Sequence, residues 1–239
     1  MDSKGFTLVE LSIVLIIIGL LIGGVLKGQE LIANAEIVRA ASNLKSMESA
    51  IQTFRSQYGG FPGDLGNASK VLKPTAIDGN WDSRIDTAEA PPAFQHLTMA
   101  DLIDGTYNNE TGESGEWVPG KTVPRGPSQG SGYWFAFVSN HYSYTGNIIE
   151  YARSAGGYIM GSVLTPRGAQ SLDRKLDDGF ATTGALIGLT GVENYTGGAP
   201  HRCTTSNSQS NDSSDPAGSA DYLLTETADA CRVMLKTVN

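Results

Sequence analysis

The chain opens Met1-Asp2-Ser3-Lys4-Gly5-Phe6-Thr7-Leu8-Val9-Glu10, then runs almost without polarity from Leu11 to Leu26 as LSIVLIIIGLLIGGVL. As a helix, Phe6 to Leu26 extends about 30 Å, roughly the thickness of one hydrocarbon core. A lone carboxylate, Glu10, stands at the head of this run. A charge there is costly in lipid, so its presence points to a function. A secretory signal accounts for the apolar run but not for Glu10. Such a signal would also place its cleavage site after the run, where Gly23-Gly24 is a weak match.

Working outward, no turn interrupts the chain after Leu26. The sequence continues through Lys27-Gly28-Gln29-Glu30 into a stripe at helical spacing: Leu31, Ala35, Val38, Ala41, Leu44, Met47, Ile51, Phe54 and Tyr58. Gly59-Gly60 and Pro62 supply the stop. One helix of about 50 residues, about 75–80 Å long, is therefore expected from Phe6 to near Tyr58. Its first half is apolar all round and its second half amphipathic.

The segment Gly5-Phe6-Thr7-Leu8-Val9-Glu10-Leu11 with the apolar run behind it resembles the N-terminus of type IV prepilins and of type II secretion pseudopilins. The resemblance is strong from Gly5 to about Pro62 and weaker beyond. It implies a prepilin peptidase that cuts between Gly5 and Phe6 and methylates the new Phe6 terminus. It also implies an assembly role for Glu10, together with an assembly ATPase and a membrane platform protein. The expected organisation is a leader at 1–5, a transmembrane and filament-core stem at 6–29, and a head at 30–239 that includes the amphipathic half of the helix. The fold class expected is α+β: a pilin-like long helix packed on a small antiparallel sheet with long loops.

With 239 residues, the chain has room for one sizeable head domain or two small ones beyond the stem. The formal net charge is -8, and no Lys/Arg cluster appears, so no nucleic-acid partner is expected. In the head, strands are expected at Tyr133–Val138, Ile148–Tyr151, Tyr158–Leu164 and Ala185–Leu189, with terminal strands at Tyr222–Leu224 and Cys231–Leu235. Short helices are expected over Ala93–Asp104 and Thr165–Asp177, Pro166 suiting the first turn of the second. Cys203 and Cys231 form no metal-type motif. In an exported head they are expected to pair as a disulfide, two buried free thiols being the alternative.

A second signal is Asp78-Gly79-Asn80-Trp81-Asp82-Ser83-Arg84-Ile85-Asp86-Thr87-Ala88-Glu89. Against a twelve-position EF-hand loop, oxygen ligands fall at positions 1, 3, 5, 9 and 12, namely Asp78, Asn80, Asp82, Asp86 and Glu89, with the Arg84 carbonyl at position 7. Ile85 follows as the apolar residue that docks the loop. Ser83 stands where such a loop has glycine, a departure that costs free energy if the turn needs φ > 0. This set of oxygens suits Ca2+ better than Mg2+. Asn211, Asp212, Asp215 and Asp221 form another acidic group, whose spacing matches no ligand motif; a solvated loop is expected there.

No enzyme is expected. His96, His141 and His201 lie in no zinc pattern, and the chain has neither a Gly-x-Ser-x-Gly elbow nor a phosphate-binding Gly-x-x-x-x-Gly-Lys run. The function expected is structural. The subunit sits as a single-pass protein in the bacterial inner membrane and then polymerises with copies of itself or with related subunits. The product is a cell-surface pilus or, alternatively, the periplasmic pseudopilus of a type II secretion system. A membrane-anchored calcium-binding protein that never polymerises is the further alternative.

Overall fold

The computed structural model describes residues 7–108, 117–141, 144–155, 158–192, 201–206 and 220–237. The proposed cleavage and methylation positions, Gly5 and Phe6, lie outside these, as do Asn211, Asp212 and Asp215. The chain divides into two compact units, Met1–Glu36 and Ile37–Asn239.

Helix α1 is continuous over Leu8–Tyr58, 51 residues, and contains an apolar window of mean hydropathy 2.7. Gly59, at φ 78°, ends it with a main-chain hydrogen bond to the Arg55 carbonyl (2.9 Å). In the second unit the helix buries Ile37, Ala40, Ala41, Leu44, Met47, Ala50, Ile51 and Phe54. The buried face therefore begins at Ile37. Leu31 and Val38, which the helical spacing assigned to it, are 60% and 52% exposed. The 3.6-residue period places Ile37, Ala40, Ala41 and Leu44 together and turns Val38 away from them.

Four strands form an antiparallel sheet in the order β1-β2-β5-β4: β1 Ser131–His141, β2 Tyr144–Ala155, β4 Leu186–Thr190 and β5 Cys231–Lys236. The short β3, Tyr158–Gly161, pairs with β2. Register sets the two faces. Tyr133 faces Tyr151, Phe135 faces Ile149, and Leu186 faces Leu235 across the ladders. All six join the core that holds the buried face of α1. The alternate residues Ile148, Ile187, Leu189 and Met234 form a smaller apolar cluster on the other face. There Glu150 and Arg232 make a buried ion pair. Trp117 stacks on Trp134 with ring centroids 4.1 Å apart.

The described residues hold three further helices, α2 Ala68–Val71, α3 Ala90–Met99 and α4 Pro166–Leu176, of which α3 meets β1 and α4 meets β4 and β5. The α3 helix stops short of the expected Asp104. Asp101 sits at φ 55°, and the Leu102 amide returns to the Leu97 carbonyl (2.9 Å), closing the helix in a left-handed turn. Tyr222–Leu224 is not a strand; Tyr222 makes one isolated bridge to Thr204. Cys203 and Cys231 are joined in a disulfide, and both are fully buried. The bond pins the segment around Tyr222 to the start of β5.

Candidate functional site

Two places concentrate the chemistry. At the start of α1, Thr7 and Glu10 form a reciprocal cap. The Thr7 hydroxyl accepts from the Glu10 amide (3.2 Å), while the Glu10 carboxylate accepts from the Thr7 amide and the Thr7 hydroxyl, each at 2.9 Å. This is a capping box, which satisfies main-chain donors that a helix start otherwise leaves open. Beyond it, the large apolar side chains from Leu8 to Leu26 are 46% to 87% exposed. Ser12 removes its own polarity by donating to the Val9 carbonyl (2.8 Å).

The second place is the 78–89 loop. It is folded against the turn that follows α1. Gly63 (φ 89°) and Gly79 let two stretches of backbone meet: a Cβ on Gly79 would lie 2.3 Å from the Gly63 carbonyl oxygen, and one on Gly63 would lie 2.4 Å from that of Glu89. Only glycine tolerates this approach. The Gly79 and Trp81 amides donate to the Leu65 and Asp64 carbonyls (3.1 and 3.0 Å). Trp81 (φ 65°) lies over Gly60 and Gly66 and remains 48% exposed. Ser83 has φ 66°, so the sharp turn expected at that position is made without its glycine.

The carboxylates that converge are those of Asp64, Asp82 and Glu89, whose oxygens lie within 4.8 Å of one another. Asp64 is buried and accepts from the Asp82 and Ser83 amides, both at 2.9 Å. Glu89 accepts from the Asn80 and Asp86 amides (3.3 and 3.1 Å). Burial pushes the carboxyl groups of both Asp64 and Glu89 above their ordinary range, and each faces further acidic neighbours that push the same way. Asp78 is turned to other work. Its carboxylate takes the Ser69 amide (2.7 Å) and hydroxyl (3.0 Å), which hold it below the usual range. The side-chain oxygen of Asn80 accepts from the Asp82 amide (2.9 Å). Asp86 stands outside the converging trio and contributes its amide to Glu89.

The loop is seated on the sheet on both sides of Arg84. Ile85 is 1% exposed, as its apolar character in this position predicts. Its amide donates to the Asn147 side-chain oxygen (2.8 Å), its carbonyl accepts from the Phe137 amide (2.9 Å), and the Asn147 amide group donates to the Ser83 carbonyl (3.0 Å). The Arg84 guanidinium lies over the Phe137 ring, 4.7 Å from its centroid.

Residues 1–26 match the model of the prokaryotic N-terminal methylation motif. The motif holds Gly5, Phe6, Thr7 and Glu10. The chain is also similar to a type IV major pilin protein, PilE1, of Neisseria gonorrhoeae, with 27% identity over 109 residues, 45% of this chain. The matched region spans 62% of that pilin's length. No solved structure matches. The long N-terminal helix and small antiparallel sheet make the fold pilin-like and α+β.

Sequence reasoning reached Glu10 and the 78–89 loop but missed Asp64, Asn147 and His96. His96 is fully buried and ties the two sides of the loop's base. Its Nδ1 accepts from the Gly63 amide (2.9 Å) and its Nε2 lies 2.8 Å from the Ile77 carbonyl, so Nε2 carries the proton. Burial holds this imidazole below its ordinary pKa, in keeping with a neutral ring. The Gly63-Asp64 turn carried a signal, a glycine and an acid next to the helix stop. Nothing in its spacing linked it to a loop fourteen residues on.

Proposed function

We propose that this chain is a structural subunit of a type IV pilus-like filament, anchored in the bacterial inner membrane before assembly and polymerising through its N-terminal helix. The observation that carries this reading is the methylation motif set on an apolar helix whose large side chains are left exposed around one carboxylate. A surface of this kind needs either lipid or other copies of itself. Processing between Gly5 and Phe6 by a prepilin peptidase, followed by extraction through an assembly ATPase and platform protein, belongs to the same reading. The disulfide near the C-terminus favours a pilus over the pseudopilus of a type II secretion system.

Glu10 is assigned to pairing with the N-terminal amine of a neighbouring Phe6. In the single chain Thr7 already supplies two donors to the carboxylate, so the neighbour's amine adds to a group that is solvated from within. Glu10→Val removes the charge and keeps the helix apolar. Membrane insertion is expected to be unchanged and filament numbers to fall sharply, as counted by electron microscopy of sheared filaments. Filaments of normal number from this variant would overturn the assignment.

The 78–89 loop is assigned to calcium. Asp82 and Glu89, with Asp64 from the preceding turn, give the converging oxygens; of the expected set, Asp78, Asn80 and Asp86 are turned to other contacts and would have to swing in, with the Arg84 carbonyl, to complete a shell. The fit rests on carboxylates crowded and partly buried with no basic side chain among their hydrogen-bond partners within the described residues. A hard divalent cation is the charge such a group lacks.

A further inference from the structure

An Asp-Gly pair is open to internal attack, because glycine carries no side chain to shield its amide nitrogen from the aspartyl carboxyl. The chain has three such pairs: Asp78-Gly79, Asp104-Gly105 and Asp178-Gly179. Residue types give them equal standing, and the structure separates them. Two are tied at both reacting ends. The Asp78 carboxylate takes the Ser69 amide and hydroxyl, and the Gly79 amide donates to the Leu65 carbonyl (3.1 Å). The Asp178 carboxylate takes the Phe180 amide (2.9 Å) and the Thr183 hydroxyl (2.6 Å). The Gly179 amide donates to the buried Asp173 carboxylate (3.0 Å), which also holds the Tyr222 hydroxyl (2.8 Å). Before either aspartate can reach its glycine nitrogen these bonds must open, and local opening costs free energy.

The third pair differs at both ends. Asp104 and Gly105 are exposed, in the stretch that follows the left-handed turn closing α3. Among the described residues, neither the Asp104 carboxylate nor the Gly105 amide makes a hydrogen bond. The peptide unit between them has one further feature. Its carbonyl accepts from the Tyr107 hydroxyl (3.1 Å), and the phenol end of Tyr107 lies beside Gly105. Burial, with the Asp104 carboxylate nearby, lifts this phenol above its ordinary pKa and keeps it a donor. When an amide loses its proton, the negative charge spreads onto the carbonyl oxygen. A donor placed at that oxygen therefore favours the nitrogen anion that attacks. No such donor meets the Asp78 or the Asp178 carbonyl among the described residues.

We propose that Asp104-Gly105 is a site of spontaneous covalent modification, at which the Gly105 nitrogen attacks the Asp104 side-chain carboxyl to give a cyclic imide and then isoaspartate. In the first step the new N–C bond forms, the nitrogen gives up its proton, and one carboxyl oxygen leaves as water. No oxidant or other co-reactant is needed. In the second step water adds to either carbonyl of the ring and breaks its bond to nitrogen. One opening restores aspartate; the other routes the main chain through the side-chain methylene. The isoaspartyl form lengthens the backbone after α3 and leaves a carboxylate on the α-carbon. Asp104 lines a cavity of about 450 Å³ with Asn43, Ser46 and Met47 of α1, so the change alters a wall that the helix shares.

The test uses the full chain in detergent micelles, kept folded in mildly acidic buffer and sampled by peptide mapping over weeks. Isoaspartate is read by labelling with a protein L-isoaspartyl methyltransferase and by fragmentation mass spectra. It is expected in the peptide that holds Asp104, at a rate roughly tenfold or more above those that hold Asp78 and Asp178. Equal rates at the three sites, or no isoaspartate at Asp104, overturn the proposal. In denaturant, where no bond ties any of the three, the rates are expected to converge. A preference for Asp104 that persists undiminished there belongs to the sequence and overturns the structural argument. Tyr107→Phe tests the hydroxyl. Loss of a donor that favours the attacking nitrogen slows the reaction, whereas loss of a bond that only holds the turn quickens it. An unchanged or faster rate in Tyr107→Phe overturns the part assigned to Tyr107.

Discussion

Helix α1 is one element in two environments. From Leu8 to Leu26 its large side chains stand exposed whichever way they point. From Ile37 to Phe54 eight residues are buried in the head core and the rest, Val38 apart, are polar. Intrinsic propensity does not separate the halves; the first even holds Gly19, Gly23 and Gly24, each costing about 1 kcal/mol against alanine in an isolated helix. What differs is the partner. The second half is buried within its own unit, whereas the large apolar side chains of the first stand exposed among the described residues. A long helix can thus be a core element at one end and an exposed apolar surface at the other, the surface that the proposed assembly would use.

Substitution should divide the helix in the same way. Phe54 is fully buried, stacked near Tyr58 and His96. Phe54→Ala should lower the stability of the head by about 3–5 kcal/mol. Ile17→Ala, in the exposed half, should leave head stability within about 0.5 kcal/mol of the wild type while weakening assembly. Denaturant melts of the full chain in detergent check both. Equal losses from the two variants would break the division.

A ligand offers a gentler probe. Calcium that binds only the folded head raises its stability by about 2.7 kcal/mol at a hundredfold excess over Kd. Melts with calcium and with chelator should differ by this order, and Glu89→Gln should remove most of the gain. Coincident midpoints would leave the 78–89 loop as an ordinary turn. The smallest effect comes from the caps. The Thr165 hydroxyl accepts from the Gly168 amide (3.1 Å) at the start of α4. Thr165→Ala should therefore cost the head about 1 kcal/mol, whereas Thr7→Ala should cost it nothing, because that cap serves only the exposed half.

The parts of this fold that were legible in the sequence are those governed by local periodicity. The α1 helix follows from spacing and from the Gly59-Gly60 stop, and β1, β2, β4 and β5 lie where alternating apolar runs place them. Helix α4 begins at Pro166 behind its threonine cap, as that dipeptide implies. Errors arise where tertiary contacts override the pattern. Leu102 and Ile103 extend the stripe of α3 yet lie beyond its end, because they pack on the core from a turn and not from a helix. Tyr222 looks like a strand residue but answers to Asp173 and the disulfide. In the acidic loop the spacing revealed Asp82 and Glu89 and placed Ile85 inward. Asp64 became a neighbour only through the Gly63 and Gly79 contact, and Asn147 is an ordinary polar residue in a strand until the loop docks on it. Such partners are set by the path of the backbone, which residue types alone do not encode.

The three tryptophans give this molecule its own optical labels. Trp117 and Trp134 are a stacked, buried pair, so their coupled near-ultraviolet dichroism reports on the sheet. Trp81 lies on a floor of two glycines with its outer side in water, beside Asp82 and Asn80. Its emission alone is open to a soluble quencher. Loop and sheet can therefore be followed separately in one unmodified sample, by light.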